Sequence, residues 1–481
     1  MHLRDALNAL LLNSDSINDL VFSGIQFHSG KVNKGDLFVA IPGLATDGHD
    51  YIEDAIHSGA AAVVGEKDLH GLPVPYFRVS NARLALARLA NAFYDQPSGR
   101  HTMIGITGTN GKTTTSYLLR YILESAGITC TLIGTVGHRI NGVDMPSTQT
   151  TPDALQLQQW LNQSRDQAVI MEVSSHGIDQ DRVGATKFDY AVFTNLSYDH
   201  LNYHKTMGEY FQTKARLFGL LKEQGEAVIN SGCEWGARLI DQLTTLEKNV
   251  HTFGESIRDD VEFVRVISEF PFRFVIREGS EHHEIAMPIP GVYNAWNAAA
   301  AWLTARRIGV DASVIKEAIA TFPGVAGRFE IYRHPAGARF VVDYAHTPDG
   351  FQQFLRTLHS LKPKRIIHVF GFRGNGDPSK RGLMLEISQA WSDLIILTLD
   401  NLSGMDGNLL LEETAKLADR YGGERIVVIK DRTKAIEYAW QEAGPDDWVA
   451  VTGKGHETYD QSFAFPSVTD RETIQYLSNR S

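Results

Sequence analysis

The sequence predicts an α/β protein of three domains. A central P-loop domain on a parallel sheet is flanked by a smaller N-terminal α/β domain and a C-terminal Rossmann-like α/β domain. Three observations predict it. The chain has 481 residues, too many for one ordinary domain and suited to about three. Short apolar runs alternate with helix-forming stretches, which implies parallel strands with helices on both faces. Around Gly108-Thr-Asn-Gly-Lys-Thr-Thr114 a strand, a glycine-rich turn and a helix follow one another.

The first domain is expected over residues 1–98. Gly35-Asp-Leu-Phe-Val-Ala-Ile41 and Ala60-Ala-Ala-Val-Val-Gly65 read as strands, with a helix from Tyr51 to Ser58 between them. Pro97-Ser-Gly-Arg100 reads as a linker. The second domain is expected over residues 99–325. Its first strand is Thr102-Met-Ile-Gly-Ile-Thr107, and a helix begins near Thr114. Further buried strands are expected at 168–173, 190–194 and 226–230, and a helix at 298–306. A break falls at Phe322-Pro-Gly-Val-Ala-Gly327. The third domain, residues 326–481, carries apolar runs at 340–343, 365–370, 394–398, 425–429 and 448–452, each read as a strand.

Composition excludes several classes. A net charge of −11 argues against nucleic-acid or anionic-membrane binding through bulk electrostatics, although a local phosphate site needs only local positive charge. The first residues, Met-His-Leu-Arg-Asp-Ala-Leu, lack signal-peptide architecture, and no apolar run approaches the ~18 residues that span a bilayer. Two cysteines, Cys130 and Cys233, offer neither a disulfide framework nor a metal cluster and read as buried thiols in a reducing compartment. The expectation is a cytoplasmic monomer.

The chemistry begins at the glycine-rich turn. Backbone N–H groups and a helix N-terminus face an anion there, Lys112 adds positive charge, and the Thr113 hydroxyl suits Mg²⁺. The run is shorter than a full Walker A pattern, because Ile106 stands where that pattern has glycine. In parallel sheets ligands sit at the carboxyl ends of strands. Glu172 follows one such strand and His200 another, and a carboxylate and a histidine near a phosphate loop suit a hard cation. The bland alternatives are a solvated loop carboxylate for Glu172 and a hydrogen-bonded structural histidine for His200. Nothing in the pattern itself distinguishes Lys214 from an exposed helix lysine.

Five motifs occur in order: Gly108-Thr-Asn-Gly-Lys-Thr-Thr114, Met171-Glu-Val-Ser-Ser-His-Gly177, Asp199-His-Leu-Asn-Tyr-His204, Asp343-Tyr-Ala-His-Thr-Pro348 and Gly453-Lys-Gly-His-Glu457. The chain resembles the Mur ligase family over nearly its whole length, specifically the type that makes UDP-N-acetylmuramoyl-tripeptide. The resemblance implies that the N-terminal domain holds the UDP end of the substrate. It implies that the central domain binds ATP and that the C-terminal domain brings a free amino acid. ATP would phosphorylate the acceptor carboxylate, and the amine would displace phosphate.

Carried onto matching positions, the nucleotide would meet Gly108, Thr109, Asn110, Gly111, Lys112, Thr113 and Thr114, with Asn294 and Asn297 on the adenine side. Helix capping is the alternative for the two asparagines. Arg328 and Asp343 would reach ATP from the C-terminal domain. Thr113 and Glu172 would hold one Mg²⁺, with His200 and a carbamate formed on Lys214 from CO2 at a second. Lys112, Glu172, His200 and Lys214 thus form the implied catalytic set. Ser29, Thr150, Thr151, Ser174, Gln180 and Arg182 would grip the nucleotide-linked acceptor. Arg381, Asp400, Asn401, Gly453 and Glu457 would meet the incoming amino acid, Glu457 its distal ammonium.

Two motifs depart from the family. His28-Ser29-Gly30 stands for the usual Asp-Ser-Arg, so an acid and a base are gone from the UDP end. Asp400-Asn-Leu-Ser403 stands for Asp-Asn-Pro-Arg, which removes a bidentate carboxylate clamp. Arg381 and Arg373 are the arginines left to hold a carboxylate. A ligase acting on a different carboxylate, in specialised metabolism or cell-wall recycling, is an alternative. A nucleotide-binding regulatory protein is another, though Lys112, Glu172 and His200 are all retained.

Overall fold

The computed structural model describes residues 7, 10–12, 22–43, 46–374, 376–421 and 425–480. The N-terminal heptapeptide read for a signal peptide lies outside these apart from Leu7, and Asn375 lies outside too. The chain forms two compact units. One comprises Met1–Thr107, Gly127–Val192 and Thr213–Ala227, the other Gly108–Ala126, Phe193–Gln212 and Val228–Ser481.

In the first unit, β1 (Ile25–Gln26), β2 (Leu37–Val39), β3 (Ala62–Gly65) and β4 (Tyr76–Arg78) form a parallel four-stranded sheet in chain order. Its strands are fully buried at β2 and β3, as continuous apolar runs predict. The helix Ala82–Phe93 packs Ala85, Leu86 and Leu89 into the core beneath it. Pro97–Arg100, expected as a linker, is a helical turn with Pro97 and Ser98 buried.

The unit also holds β5 (Thr102–Thr107), β6 (Cys130–Ile133), β7 (His138–Ile140), β8 (Val143–Met145), β9 (Ala168–Glu172), β10 (Phe188–Phe193) and most of β11 (Leu221–Asn230). Side by side they lie in the order β11-β10-β5-β9-β6-β7-β8. β5, β9 and β6 pair in parallel, but β6-β7-β8 is an antiparallel ribbon. Asn141 and Gly142, both at positive φ, turn β7 back on β8.

The second unit carries β12 (Asn249–Gly254), β13 (Val261–Glu269), β14 (Phe272–Glu278) and β15 (Glu281–Met287). β13, β14 and β15 are antiparallel, so the expectation of mostly parallel strands holds for β5, β9 and β6 and fails for β6-β7-β8 and β13-β14-β15. Phe272, Phe274 and Ile276 are buried on one face of β14, while on the other Arg273 is exposed and Val275 is buried, so the strand is only partly solvated on its second face, as antiparallel strands can be. The helix Val292–Ile308 is buried along most of its length, which its alanine run Ala298–Ala301 permits.

The six-stranded C-terminal sheet runs β16 (Glu330–Arg333), β17 (Arg339–Asp343), β21 (Trp448–Thr452), β18 (Ile366–Phe372), β19 (Leu394–Leu399), β20 (Ile426–Val428). All pairs are parallel except β16 with β17. Each expected C-terminal strand is present within a residue or two. Cys130 is buried as expected. Cys233 is only half-buried, because its sulfur caps the helix Glu234–Thr245 by accepting from the Gly236 N–H at 3.3 Å.

Candidate active site

The phosphate loop joins β5 to the helix Lys112–Ser125. Gly108 (φ +148°) and Gly111 (φ +87°) allow its path, and a Cβ would strike Thr194 Oγ1 at the first and Asn297 Oδ1 at the second. The loop is anchored from the end of β10. Asn195 Oδ1 accepts from the Asn110 N–H (2.9 Å), and the Thr194 hydroxyl (2.6 Å) and Asn195 amide (3.1 Å) donate to the Asn110 carbonyl. The Thr109 hydroxyl lies 3.2 Å from Tyr210 Oη and accepts from the Ser197 N–H. Lys112 curls back, donating to the Gly108 and Thr109 carbonyls at 2.8 and 2.9 Å. Thr113 and Thr114 lie in the first helical turn.

Asn294 and Asn297 sit inside the helix Val292–Ile308, both buried. Asn294 donates to the Pro290 carbonyl (2.8 Å), and Asn297 donates to Asn294 Oδ1 (3.2 Å) and accepts from the Thr115 hydroxyl (3.4 Å). Of the two, only Asn297 meets the phosphate-loop helix in this way.

The C-terminal sheet also supplies groups to the loop within the same unit. Arg328 lies over the Tyr344 ring at 4.2 Å and donates to Thr113 Oγ1 at 3.3 Å. Asp343 is turned to the backbone: its carboxylate accepts from the Phe329 and Ala345 N–H groups, both at 2.7 Å, and so shapes the turn that presents Arg328. Burial pushes the Asp343 carboxyl above its ordinary value, against the opposing pull of Arg328 and these N–H donors. Asp349, at the start of the helix Pro348–Ser360, accepts from the Asn110 amide at 2.8 Å.

Lys380 pairs with buried Asp199 at 3.3 Å, and Asp199 also lies 3.4 Å from His200 Nε2. Burial alone would raise the Asp199 carboxyl, but His200, Lys380 and His346 outweigh it and hold it well below the usual range. Asp349, Lys380 and Asp199 were not singled out by sequence reasoning. Lys380 stands beside Arg381 and Asp199 beside His200, so each lay one residue from a chosen position.

In the first unit, Glu172 ends β9 fully buried. Its carboxylate accepts from the Thr135 N–H (2.9 Å) and hydroxyl (2.8 Å). Lys214, at the end of the helix Met207–Ala215, is 1% exposed, so the surface lysine that the pattern suggests is a buried one. Thr151 donates to the Glu172 carbonyl at 2.9 Å and lies 3.2 Å from Ser174 Oγ, and Thr150 lies 3.1 Å from the Thr135 hydroxyl. Arg182 donates to the Thr151 carbonyl (2.6 Å) and to Gln180 Oε1 (2.8 Å). Gln180 and Arg182 line a cavity of about 490 Å³ with Arg83, His28, His138 and Trp160. Ser29 does not line it; its neighbours Phe27 and His28 do. Burial pushes His138 down to about 4, so it is neutral at physiological pH.

The residues expected at the amino-acid end gather at the carboxyl ends of β17, β18, β19 and β21. Arg373 donates to both Glu457 oxygens (2.9 and 2.8 Å), and the Tyr344 hydroxyl donates to Glu457 at 2.9 Å. Asp400 Oδ1 accepts from the Asn401 N–H at 2.6 Å and lies 3.8 Å from Lys454 Nζ. Asn401 Oδ1 takes the Ser403 N–H and hydroxyl in a tight turn. At Gly453 (φ +105°) a Cβ would strike Asp400 Oδ2. Arg381 is buried against Glu413 at 2.6 Å.

A phosphate loop at the end of a parallel-sheet strand, met by arginine and carboxylate groups from a second α/β sheet, defines a nucleotide-dependent α/β enzyme. Three Mur ligase family descriptions match in register: the family's catalytic domain at residues 21–94, its middle domain at 106–305 and its glutamate ligase domain at 327–455. The chain is 37% identical to the UDP-N-acetylmuramoyl-L-alanyl-D-glutamate–2,6-diaminopimelate ligase of Alkaliphilus metalliredigens, over 91% of this chain and 89% of that one. It is 36% identical to the ligase of the same name from Clostridium botulinum, over 99% of each. A solved structure of a ligase of that name superimposes with a TM-score of 0.69 at 29% identity, over 99% of each chain. The chain belongs to the Mur ligase family, with its three-domain α/β fold, and is an ATP-dependent, ADP-forming ligase.

Proposed function

We propose that this protein joins 2,6-diaminopimelate to UDP-N-acetylmuramoyl-L-alanyl-D-glutamate in the synthesis of peptidoglycan precursor. The observation that carries the reading is the assembled loop: the anchored glycine turn, with Arg328 on Thr113 and Asp349 on Asn110. The names of relatives at 36–37% identity over nine-tenths of the chain or more supply the substrates. We assign the domains as 1–98, 99–325 and 326–481, in the order acceptor, ATP, amino acid.

The chemistry follows from the residues. A carboxylate is a poor acyl donor. Its oxygen attacks the γ-phosphorus of ATP, ADP leaves, and the acyl phosphate formed has a good leaving group. The amine of the incoming amino acid adds to the carbonyl carbon, and phosphate departs with the C–O bond electrons. Loop N–H groups and Lys112, freed from its two carbonyl contacts, meet phosphate oxygens. Arg328 adds charge from the C-terminal sheet, and the groups it brings exclude water from the acyl phosphate.

Among the described residues no three His, Cys, Asp or Glu side chains converge as a self-contained metal site. Mg²⁺ is commonly bound through one or two carboxylates with phosphate oxygens and water completing its shell, and Glu172, a buried carboxylate at the end of β9, is a donor of that kind. Thr113, Glu172 and His200 would hold it, and the ion would neutralise charge on the phosphates. The Lys214 side chain is buried, and a carbamate formed on it from CO2 would turn a cation into an anion able to support a second metal ion. Thr150, Thr151, Ser174, Gln180 and Arg182 bind the acceptor along the cavity wall.

The test is phosphate release with ATP, Mg²⁺ and UDP-N-acetylmuramoyl-L-alanyl-D-glutamate, one amino acid at a time. Release that requires both the acceptor and 2,6-diaminopimelate is expected. Release with a different carboxylate acceptor only would refute the reading.

A further inference from the structure

The carboxyl edge of the C-terminal sheet concentrates charge. Arg373 follows β18, Asp400 follows β19, and Lys454 and Glu457 follow β21. Such an edge of an open parallel sheet is where ligands bind. Its polar atoms are incompletely used: among the described residues Arg373 Nε, Asp400 Oδ2 and Lys454 Nζ are buried without a hydrogen-bond partner. Lys454 and Asp400 are 0% and 1% exposed, where unmade bonds are costly.

The arginines near this edge are not equivalent. Arg432 is spent on both oxygens of Asp470 (2.6 and 2.8 Å) and on the Thr452 carbonyl. Arg381 is spent on Glu413 and on the Arg373 carbonyl. Arg373 makes its bonds to Glu457 and to the Gly453 carbonyl through a single nitrogen, Nη2. Its guanidinium therefore holds Glu457 by one corner rather than by a two-nitrogen fork. Ser403, at the position where the motif Asp400-Asn-Leu-Ser403 ends, has no second donor and no charge to offer a carboxylate.

We propose that Arg373 takes the distal carboxylate of the incoming diamino acid, completing a zwitterion clamp with Glu457, whose contact with the distal ammonium the family resemblance already implies. This rests on the reaction proposed above and names the residue that selects its amino acid. The carboxylate and ammonium of an amino-acid terminus share one carbon, and the paired side chains present the opposite charges side by side. Exchange of one ion pair for two conserves net charge, so neither half-buried group is left uncompensated. L-Lysine is 2,6-diaminopimelate without the distal carboxylate. It would draw Glu457 away and leave the guanidinium unpaired, so the clamp discriminates against it.

The experiment measures kcat/KM for 2,6-diaminopimelate and for L-lysine with the full-length enzyme, at saturating ATP and acceptor, in the wild type, Arg373→Lys, Arg373→Gln and Glu457→Gln. The wild type prefers diaminopimelate. Either Arg373 variant lowers the preference ratio about 10- to 100-fold, chiefly through KM for diaminopimelate, as loss of a charge-assisted fork predicts. Glu457→Gln weakens both amino acids. Arg373 variants that lower both substrates equally, leaving the ratio unchanged, give Arg373 a structural role and overturn the clamp. So does a wild type that prefers L-lysine. No turnover with any diamino acid, from protein with an unchanged melting temperature, overturns the proposed reaction and the clamp with it.

Discussion

Replacing Gly111 by alanine tests the phosphate loop at its tightest point. Gly111 sits at φ +87°, and a Cβ there falls on Asn297 Oδ1. The left-handed backbone costs a side-chain-bearing residue about 1–2 kcal/mol. The overlap adds to that. Asn297 must swing away, and two hydrogen bonds go with it, the Thr115 hydroxyl at 3.4 Å and its own donation to Asn294 at 3.2 Å. At about 0.5–1 kcal/mol for each bond of this length, the substitution should cost about 2–4 kcal/mol in all. A double-mutant cycle separates the two parts. In an Asn297→Ala background the overlap is gone, and Gly111→Ala should cost only the backbone share, about 1–2 kcal/mol. The assay is urea unfolding followed by tryptophan fluorescence, with Trp296 and Trp302 on the same helix as Asn297. An equal cost in both backgrounds, or a cost below about 0.5 kcal/mol, would refute the packing argument.

Other consequences can be checked alongside. Lys214→Ala should lose most turnover, and added short carboxylates should restore part of it if a carbamate is the working form; full activity without them would contradict a role for the lysine. His368 is fully buried between the Ser388 and Thr452 hydroxyls (2.8 and 2.9 Å), and burial pushes it down to about 3. The native state keeps it neutral while the unfolded chain takes a proton below about pH 6.5, so its stability share is intact above that pH and lost as pH falls toward 3. The loss is about 2 kcal/mol at pH 5, and His368→Gln should flatten the acid limb of the urea midpoint against pH; parallel limbs would contradict this. Arg432 and Asp470 form a fully buried ion pair, so Arg432→Met should destabilise by about 3–5 kcal/mol, with much of it recovered when Asp470→Leu is added. A double variant no better than the single one would show that the pair is not what the arginine is for.

Much of the fold was legible because its central strands are continuous apolar runs bounded by turn residues. Thr102–Thr107 and Trp448–Thr452 fall on their expected residues. The edges were not legible in the same way. β13 to β15 mix charged and apolar residues without a clean period, from Phe274-Val275-Ile276 to Glu281-His282-His283-Glu284, and only their hydrogen bonding to one another marks them as strands. The loop glycines announce a phosphate cradle, since their spacing is local. What completes it is not local. Asp349 meets Asn110 across 239 positions and Lys380 meets Asp199 across 181, and no spacing rule reaches that far. Nor could the sequence show that Arg381 is committed to Glu413 while Arg373 faces Glu457. Both arginines lie on one short segment, and only the fold decides which carboxylate each one meets.

The most direct test of the account follows an oxygen atom. The acceptor is prepared with ¹⁸O in both oxygens of its glutamate carboxyls and turned over with unlabelled ATP and 2,6-diaminopimelate. The released phosphate is then examined by mass spectrometry. If the carboxylate attacks the γ-phosphorus and the amine then expels phosphate, each phosphate carries one ¹⁸O from the acceptor. Phosphate free of label, formed in step with the amide, would mean that the acceptor carboxylate never becomes an acyl phosphate, and the mechanism built here on the loop, Lys112 and Arg328 would fall.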